Sequence, residues 1–223
     1  MKTIKMFGLA IMLLSGVSAF AQKVLSEGTI TYNIVIQTNN KEPQMADALD
    51  GATSIVYLKG GLSRTSMTSA LGVESTIHNT QTGNQTIAVI LKEYSGQKLM
   101  ITLTKADWDL KNKKYEGAVF ETTGETATIA GYNCLKAIAK LKDGTSFTVY
   151  YTTDINLINK EYDQTFKNLP GLAMQYEYES GKLKFKYTVA KIDFNPLSTS
   201  IFEFPKSGYR VMTYQENQLG NKN

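Results

Sequence analysis

Along residues 182–194 apolar and polar side chains alternate: Leu183, Phe185, Tyr187 and Val189 share one face, Lys182, Lys184, Lys186 and Thr188 the other. A period of two is that of a β-strand, whose successive Cβ atoms point to opposite sides of a sheet. Lysines on the wet side stay hydrated and discourage pairing with other chains. The same division separates Ile30, Tyr32, Ile34 and Ile36 from Thr29, Thr31, Asn33 and Gln37, and Phe147, Val149 and Tyr151 from Ser146, Thr148 and Thr152. Further strand-like runs lie at 53–58, 62–68, 72–79, 86–93, 98–103, 118–122, 133–141 and 172–179. Gly60-Gly61, Thr82-Gly83-Asn84 and Ser95-Gly96 supply turn chemistry between them, and Asp143-Gly144 and Ser180-Gly181 are two-residue hairpin signals. The pattern predicts about eleven strands joined by short connections, a mainly β chain built as an antiparallel meander. A sheet of that size, apolar and aromatic-rich on one face, must curl, close or be covered.

Three stretches break the alternation. Residues 42–50 (EPQMADALD) read as a short helix or lid-like segment after the first strand. Thr104-Lys105-Ala106-Asp107 has the spacing of a capping box, in which a hydroxyl and a carboxylate satisfy the free N–H groups of a first helical turn. A helix over 106–115 is predicted to follow. A third, weaker helical turn falls within 157–165. The fold class predicted is therefore a single curved antiparallel sheet with two or three short helices.

The chain opens with the pattern of a secretory signal peptide: basic Lys2 and Lys5, an apolar stretch over 6–17, and Ala19-Phe20-Ala21 with small residues at the cleavage positions. Residues 1–21 are expected to be removed, leaving 22–223 as one β-rich domain in the periplasm or outside the cell. The apolar stretch is shorter than the ~20 residues that span a bilayer, and no later segment approaches that length, so no transmembrane segment is expected. No cysteine follows the cleavage point closely, which argues against a lipid-modified N-terminus. Loss of Lys2 and Lys5 would lower the formal charge from +4 to +2. The remaining basic residues are lysines spread along strands, apart from Arg64 and Arg210, whereas nucleic-acid binding favours clustered, arginine-rich patches. No nucleic-acid partner is expected. Cys134 is the only cysteine, so the chain forms no internal disulfide, and a lone cysteine of this kind reads as a buried small apolar residue.

Catalytic signals are sparse. His78 is the only histidine, and it reads as a solvated strand residue in Thr76-Ile77-His78-Asn79. No nucleophile elbow, phosphate-binding loop, dinucleotide fingerprint or zinc-protease motif is present. Two acid pairs, Asp107 with Asp109 and Glu177 with Glu179, could in principle serve glycoside chemistry, and both read as solvated surface acids. One cysteine and one histidine leave no ligand set for structural zinc, and no oxygen-rich calcium loop of the expected spacing occurs. The chain is read as a non-enzyme with no metal and no cofactor.

The thirteen tyrosines are the more informative feature. Many alternate with aliphatic residues on the inward faces. They could form an ordinary core, or line an apolar cavity in which a ligand takes the place of core side chains. Ile101, Leu103, Phe147, Val149, Leu172, Met174 and Tyr176 are the candidate lining of such a cavity.

Thr128-Ile129-Ala130-Gly131-Tyr132-Asn133-Cys134-Leu135-Lys136-Ala137 resembles the I-x-G-Y-x-C-x-K-A stretch of exported Gram-negative proteins described as domains of unknown function or as the GLPGLI family. Leu169-Pro170-Gly171-Leu172 is similar to the core of the motif that names it, with Asn168 in place of the first glycine and Ala173 in place of the final isoleucine. Tyr150-Tyr151-Thr152-Thr153-Asp154-Ile155 resembles the strand before that motif, and Phe202-Glu203-Phe204-Pro205 with Gly208-Tyr209-Arg210-Val211-Met212 the closing strand and tail. The resemblance implies a lipoprotein-carrier (LolA-like) fold, an incomplete barrel wrapped over helices with an apolar concave face. It also implies an envelope protein that binds or carries a lipid, a lipoprotein acyl chain or another hydrophobic small molecule. The alternative is a ligand-free structural or interaction module with an envelope protein partner.

Overall fold

In the computed structural model, which describes residues 22–38, 49–83, 85–180 and 183–220, the alternating stretches become fourteen strands among the described residues. They are β1 (Lys23–Leu25), β2 (Glu27–Thr38), β3 (Thr53–Lys59), β4 (Leu62–Ser69), β5 (Gly72–His78), β6 (Thr86–Tyr94) and β7 (Gln97–Thr104). After the first helix, α1 (Lys105–Asn112), come β8 (Val119–Ile129), β9 (Tyr132–Lys140), β10 (Ser146–Thr152), β11 (Ile155–Leu157), β12 (Leu172–Ser180), β13 (Leu183–Asp193) and β14 (Arg210–Thr213), with a last helix α2 (Tyr214–Gly220). The expected signal peptide, and all of the lid-like segment except Leu49 and Asp50, lie outside the described residues.

Twelve of the strands form one sheet in the order β14-β7-β6-β5-β4-β3-β2-β13-β12-β10-β9-β8. It is a curved, unclosed sheet, an incomplete barrel whose edges are β14 and β8. The chain lays it down as two meanders. β2 to β7 pair in succession, the chain then crosses through α1 to the far edge, and β8 to β13 return until β13 pairs with β2 over ten residue pairs.

Two pairings depart from the expected all-antiparallel sheet. β1 pairs with β11 in parallel, and β14 pairs with β7 in parallel at the edge. Parallel neighbours need a long crossover, and the chain supplies one: residues 194–209 run back over the outer face of β3–β7. The Leu197 carbonyl accepts from Lys59, that of Ile201 from Arg64, and that of Phe202 from Asn79. The Phe202 ring, fully buried, packs beneath this belt on Leu62, Ile77, Val89 and Leu91.

The inner face is covered differently. The capping box forms as predicted: Asp107 N–H donates to the Thr104 hydroxyl oxygen, while the Asp107 carboxylate accepts from the Thr104 N–H. Helix α1 therefore starts at Lys105, and Trp108 on its first turn is laid over β5–β7, with Ala88, Ile90, Ile101, Leu103 and Tyr214 of α2 in one buried cluster. Residues 158–171 cross the inner face beside it. Asn159 donates to the Leu62 carbonyl, Asp163 caps a 3-10 turn at Gln164–Phe166, and Leu169 is fully buried. Gly171 closes that crossing: a Cβ there would stand 2.0 Å from the Thr152 carbonyl oxygen. The Leu-Pro-Gly-Leu stretch is thus a place where backbone meets backbone, which only glycine permits. Among the described residues, no helix is long and apolar enough to cross a membrane.

Candidate functional site

An open cavity of about 640 Å³ lies on the inner face where the β9–β10 turn stands beside β12 and β13. Strand register builds its wall. Tyr176 stands opposite Tyr187 and Tyr178 opposite Phe185 across the β12–β13 pair, so the rings are held in cross-strand contact. The Tyr176 and Tyr187 rings stack with centroids 4.8 Å apart, those of Tyr178 and Phe185 at 5.0 Å. Phe166, delivered by the 3-10 turn, meets Tyr176 edge-on at 4.7 Å, and Phe147 of β10 meets Phe166 at 6.2 Å. Tyr32 of β2 closes the back of the group at 5.9 Å from Tyr176, its hydroxyl donating to the Ala173 carbonyl. Aromatic pairs in these geometries each contribute about 0.5–1.5 kcal/mol beyond their burial, so the wall is stiff as well as apolar.

Of the seven residues expected to line a cavity, Phe147 and Tyr176 do so. Val149 is buried behind them in the cluster around Phe166 and Leu169, and Leu172 and Met174 are fully buried in the central core with Tyr32, Ile34, Val56 and Leu58. Ile101 and Leu103 lie apart, under Trp108 and Tyr214. Tyr115, Phe166, Tyr178 and Tyr187 complete the aromatic lining. Tyr178 and Tyr187 were legible from alternation. Phe166 was not, because it arrives on an aperiodic loop.

The polar lining is Asp163, Glu177, Glu179, Lys114 and Lys184, with Thr145, Ser146, Thr148 and Thr165. Glu177 and Glu179, read as solvated acids, stand at the cavity, and Lys184 lies 2.6 Å from Glu177. Asp163 is half-buried, and one of its oxygens accepts from the Thr165 N–H at 2.9 Å. Desolvation raises the Asp163 carboxyl above its usual range, against the pull of Thr165 hydrogen bonds and of Lys111. Burial likewise raises Tyr32, Tyr162, Tyr176 and Tyr187, so these hydroxyls remain neutral donors and acceptors.

The other candidate groups are placed structurally. His78 is not a solvated strand residue: it is buried, stacked on Trp108 at 4.8 Å, and its Nδ1 has no hydrogen-bond partner among the described residues. Burial lowers its pKa, with Glu161 opposing and Lys105 reinforcing the shift. Asp107 is a buried helix cap that also accepts from Gln215, whereas Asp109 is an exposed partner of Lys105. The Cys134 thiol is buried and pushed up to about 11, chiefly by desolvation. Among the described residues no group of three or more His, Cys, Asp or Glu is arranged to hold a metal ion.

No family model and no curated protein matches the sequence, so the likeness to the GLPGLI family has no family match behind it. Similar solved structures include an uncharacterized conserved protein from Thermus thermophilus, at 10% identity and TM-score 0.47 over 85% of this chain and 91% of that one. The MucA/MucB complex of Pseudomonas aeruginosa aligns at 11% identity and TM-score 0.40 over 79% of this chain and 56% of that one. A putative outer membrane lipoprotein-sorting protein domain from Vibrio parahaemolyticus aligns at 10% identity and TM-score 0.23 over 80% of this chain and 90% of that one. All three fall below a TM-score of 0.5 and carry no argument about function.

Proposed function

We propose that the chain is an exported, non-enzymatic envelope protein that binds or carries a lipid, a lipoprotein acyl chain or another hydrophobic small molecule on the inner face of its half-barrel. The observation that carries this reading is the aromatic cavity of about 640 Å³, open to solvent and walled by Phe147, Phe166, Tyr176, Tyr178 and Tyr187. Its volume falls within the roughly 300–1,000 Å³ of small-molecule pockets, and each CH₂ of a ligand buried there would contribute ~0.8 kcal/mol. Val149, Leu172 and Met174 form the packed layer behind that wall. Export is read from residues 1–21. The non-enzymatic reading is supported by the structural employment of the reactive groups: Asp107 caps a helix, His78 is shut against Trp108, and Cys134 is buried.

Protein recovered from its own exported fraction, examined by native mass spectrometry and solvent extraction, is expected to carry a small bound mass. Delipidated protein should take up N-phenyl-1-naphthylamine, and Tyr178→Ala, which removes one ring of the wall, should weaken uptake by about three- to tenfold. Repeated absence of bound mass, together with no dye uptake, would overturn the carrier reading. A stoichiometric protein partner recovered with no extractable lipid would favour the interaction-module alternative.

A further inference from the structure

We infer that the cavity selects a ligand with a cationic head, an amine or quaternary ammonium on an apolar tail; the inference rests on the cavity-binding reading above. Asp163 lines the cavity beside the rings, whereas Glu177 and Glu179 stand at its rim on the lysine-bearing side of the β12–β13 pair, with Lys184 there and Lys114 at the opposite edge. Both lysines are engaged. Lys184 is paired with Glu177 at 2.6 Å, and the Lys114 ammonium sits 4.7 Å from the centroid of the Tyr115 ring. Asp163 is not matched in this way. Among the described residues no lysine or arginine comes within ion-pair distance of it, and Lys111, which attracts it from α1, lies over the Trp108 ring at 5.7 Å.

The other titratable groups that face Asp163 are the hydroxyls of Tyr32 on β2, Tyr162 on its own loop, Tyr176 on β12 and Tyr187 on β13, all held neutral by burial. A half-buried carboxylate without a counter-ion is unfavourable until a positive charge approaches it. Ring faces supply the rest of the recognition. Phe147, Phe166, Tyr176, Tyr178 and Tyr187 bound the same space, and the negative face of an aromatic ring attracts a cation within about 6 Å. An anionic head would meet the same carboxylates and ring faces as repulsion, and a neutral head would leave Asp163 unmatched. One acid without an ion-pair partner beside a wall of rings is the chemistry that recognises an ammonium group.

The test is isothermal titration of delipidated protein at pH 7.5 with three probes of one chain length, each kept below micelle formation: dodecyltrimethylammonium, dodecanoate and neutral monododecanoylglycerol. The cationic probe is expected to bind about tenfold more tightly than the neutral one, with dodecanoate weakest. Asp163→Asn, which keeps an oxygen for the Thr165 N–H, should remove most of the cationic preference, read as the ratio of the cationic to the neutral probe's affinity in the same variant. Glu179→Gln, at an exposed position of the rim, is a second variant that leaves the fold alone and should reduce the same preference by less. Equal or tighter binding of the neutral or anionic probe, with no effect of either variant, would overturn the cationic assignment while leaving the cavity reading intact. No binding by any probe would overturn both.

Discussion

Strands β3–β7 and strands β10, β12 and β13 belong to one sheet, yet their apolar faces end in opposite conditions. The first group is covered twice, by the belt 194–209 outside and, over β5–β7, by α1 and α2 inside, and Phe202, Ile77, Ile101 and Leu103 are fully buried between these covers. The second group is covered once, by residues 158–171, and the cover stops short of Tyr178, which keeps 40% of its surface exposed at the cavity. An apolar face becomes core when the chain has a segment to lay on it, and becomes a wall when it does not.

The sharpest way to break this contrast is to remove one ring from each region. Phe202→Ala should lower unfolding free energy by about 3–5 kcal/mol, as for large buried aromatics. Tyr178→Ala should lower it by about 1–2 kcal/mol, since it gives up the stack on Phe185 at a position that keeps 40% of its surface exposed. Urea unfolding reads both, and equal losses would mean that the two regions are packed alike. A smaller effect tests the inner cover. Thr104→Ala, which removes the hydroxyl half of the α1 capping box, should cost about 1 kcal/mol, and an unchanged urea midpoint would show that α1 is held by Trp108 alone.

The smallest expected effect is a slope with pH. His78 has its pKa lowered by burial from 6.5, so the unfolded chain takes up this proton before the folded one does. Its contribution is constant above about pH 6.5, and stability is lost as pH falls from there towards the folded-state value. The urea midpoint measured between pH 7.5 and 5 should show this loss in the native chain and less of it in His78→Phe, which keeps a ring against Trp108. Identical slopes would show that the buried imidazole does not govern the acid response of this region.

Much of the frame was legible beforehand because its signals are local. The hairpin at Leu183–Asp193, the strand at Ser146–Thr152 and the Thr104–Asp107 cap are each written within a few consecutive residues. The candidate site was legible in part. Phe147 and Tyr176 were placed on an inward face by alternation, and that is where they stand. Asp163 and Phe166 carried no such signal, since both sit on an aperiodic crossing whose position depends on contacts with β2, β10 and β12. The burial of His78 carries no local signal, because Thr76 and Asn79 beside it are polar and its cover, Trp108, lies 30 positions later.

Sequence by itself therefore determined the strands, their turns and which side chains share a face, because a period of two is enforced by the geometry of each residue and its immediate neighbours. Only the tertiary structure decided which of those faces would be filled and which left open. That choice depends on where three segments outside the strand alternation of the two meanders, 104–115, 158–171 and 194–220, come to rest, and their resting places are set by long-range contacts that no short stretch of sequence contains.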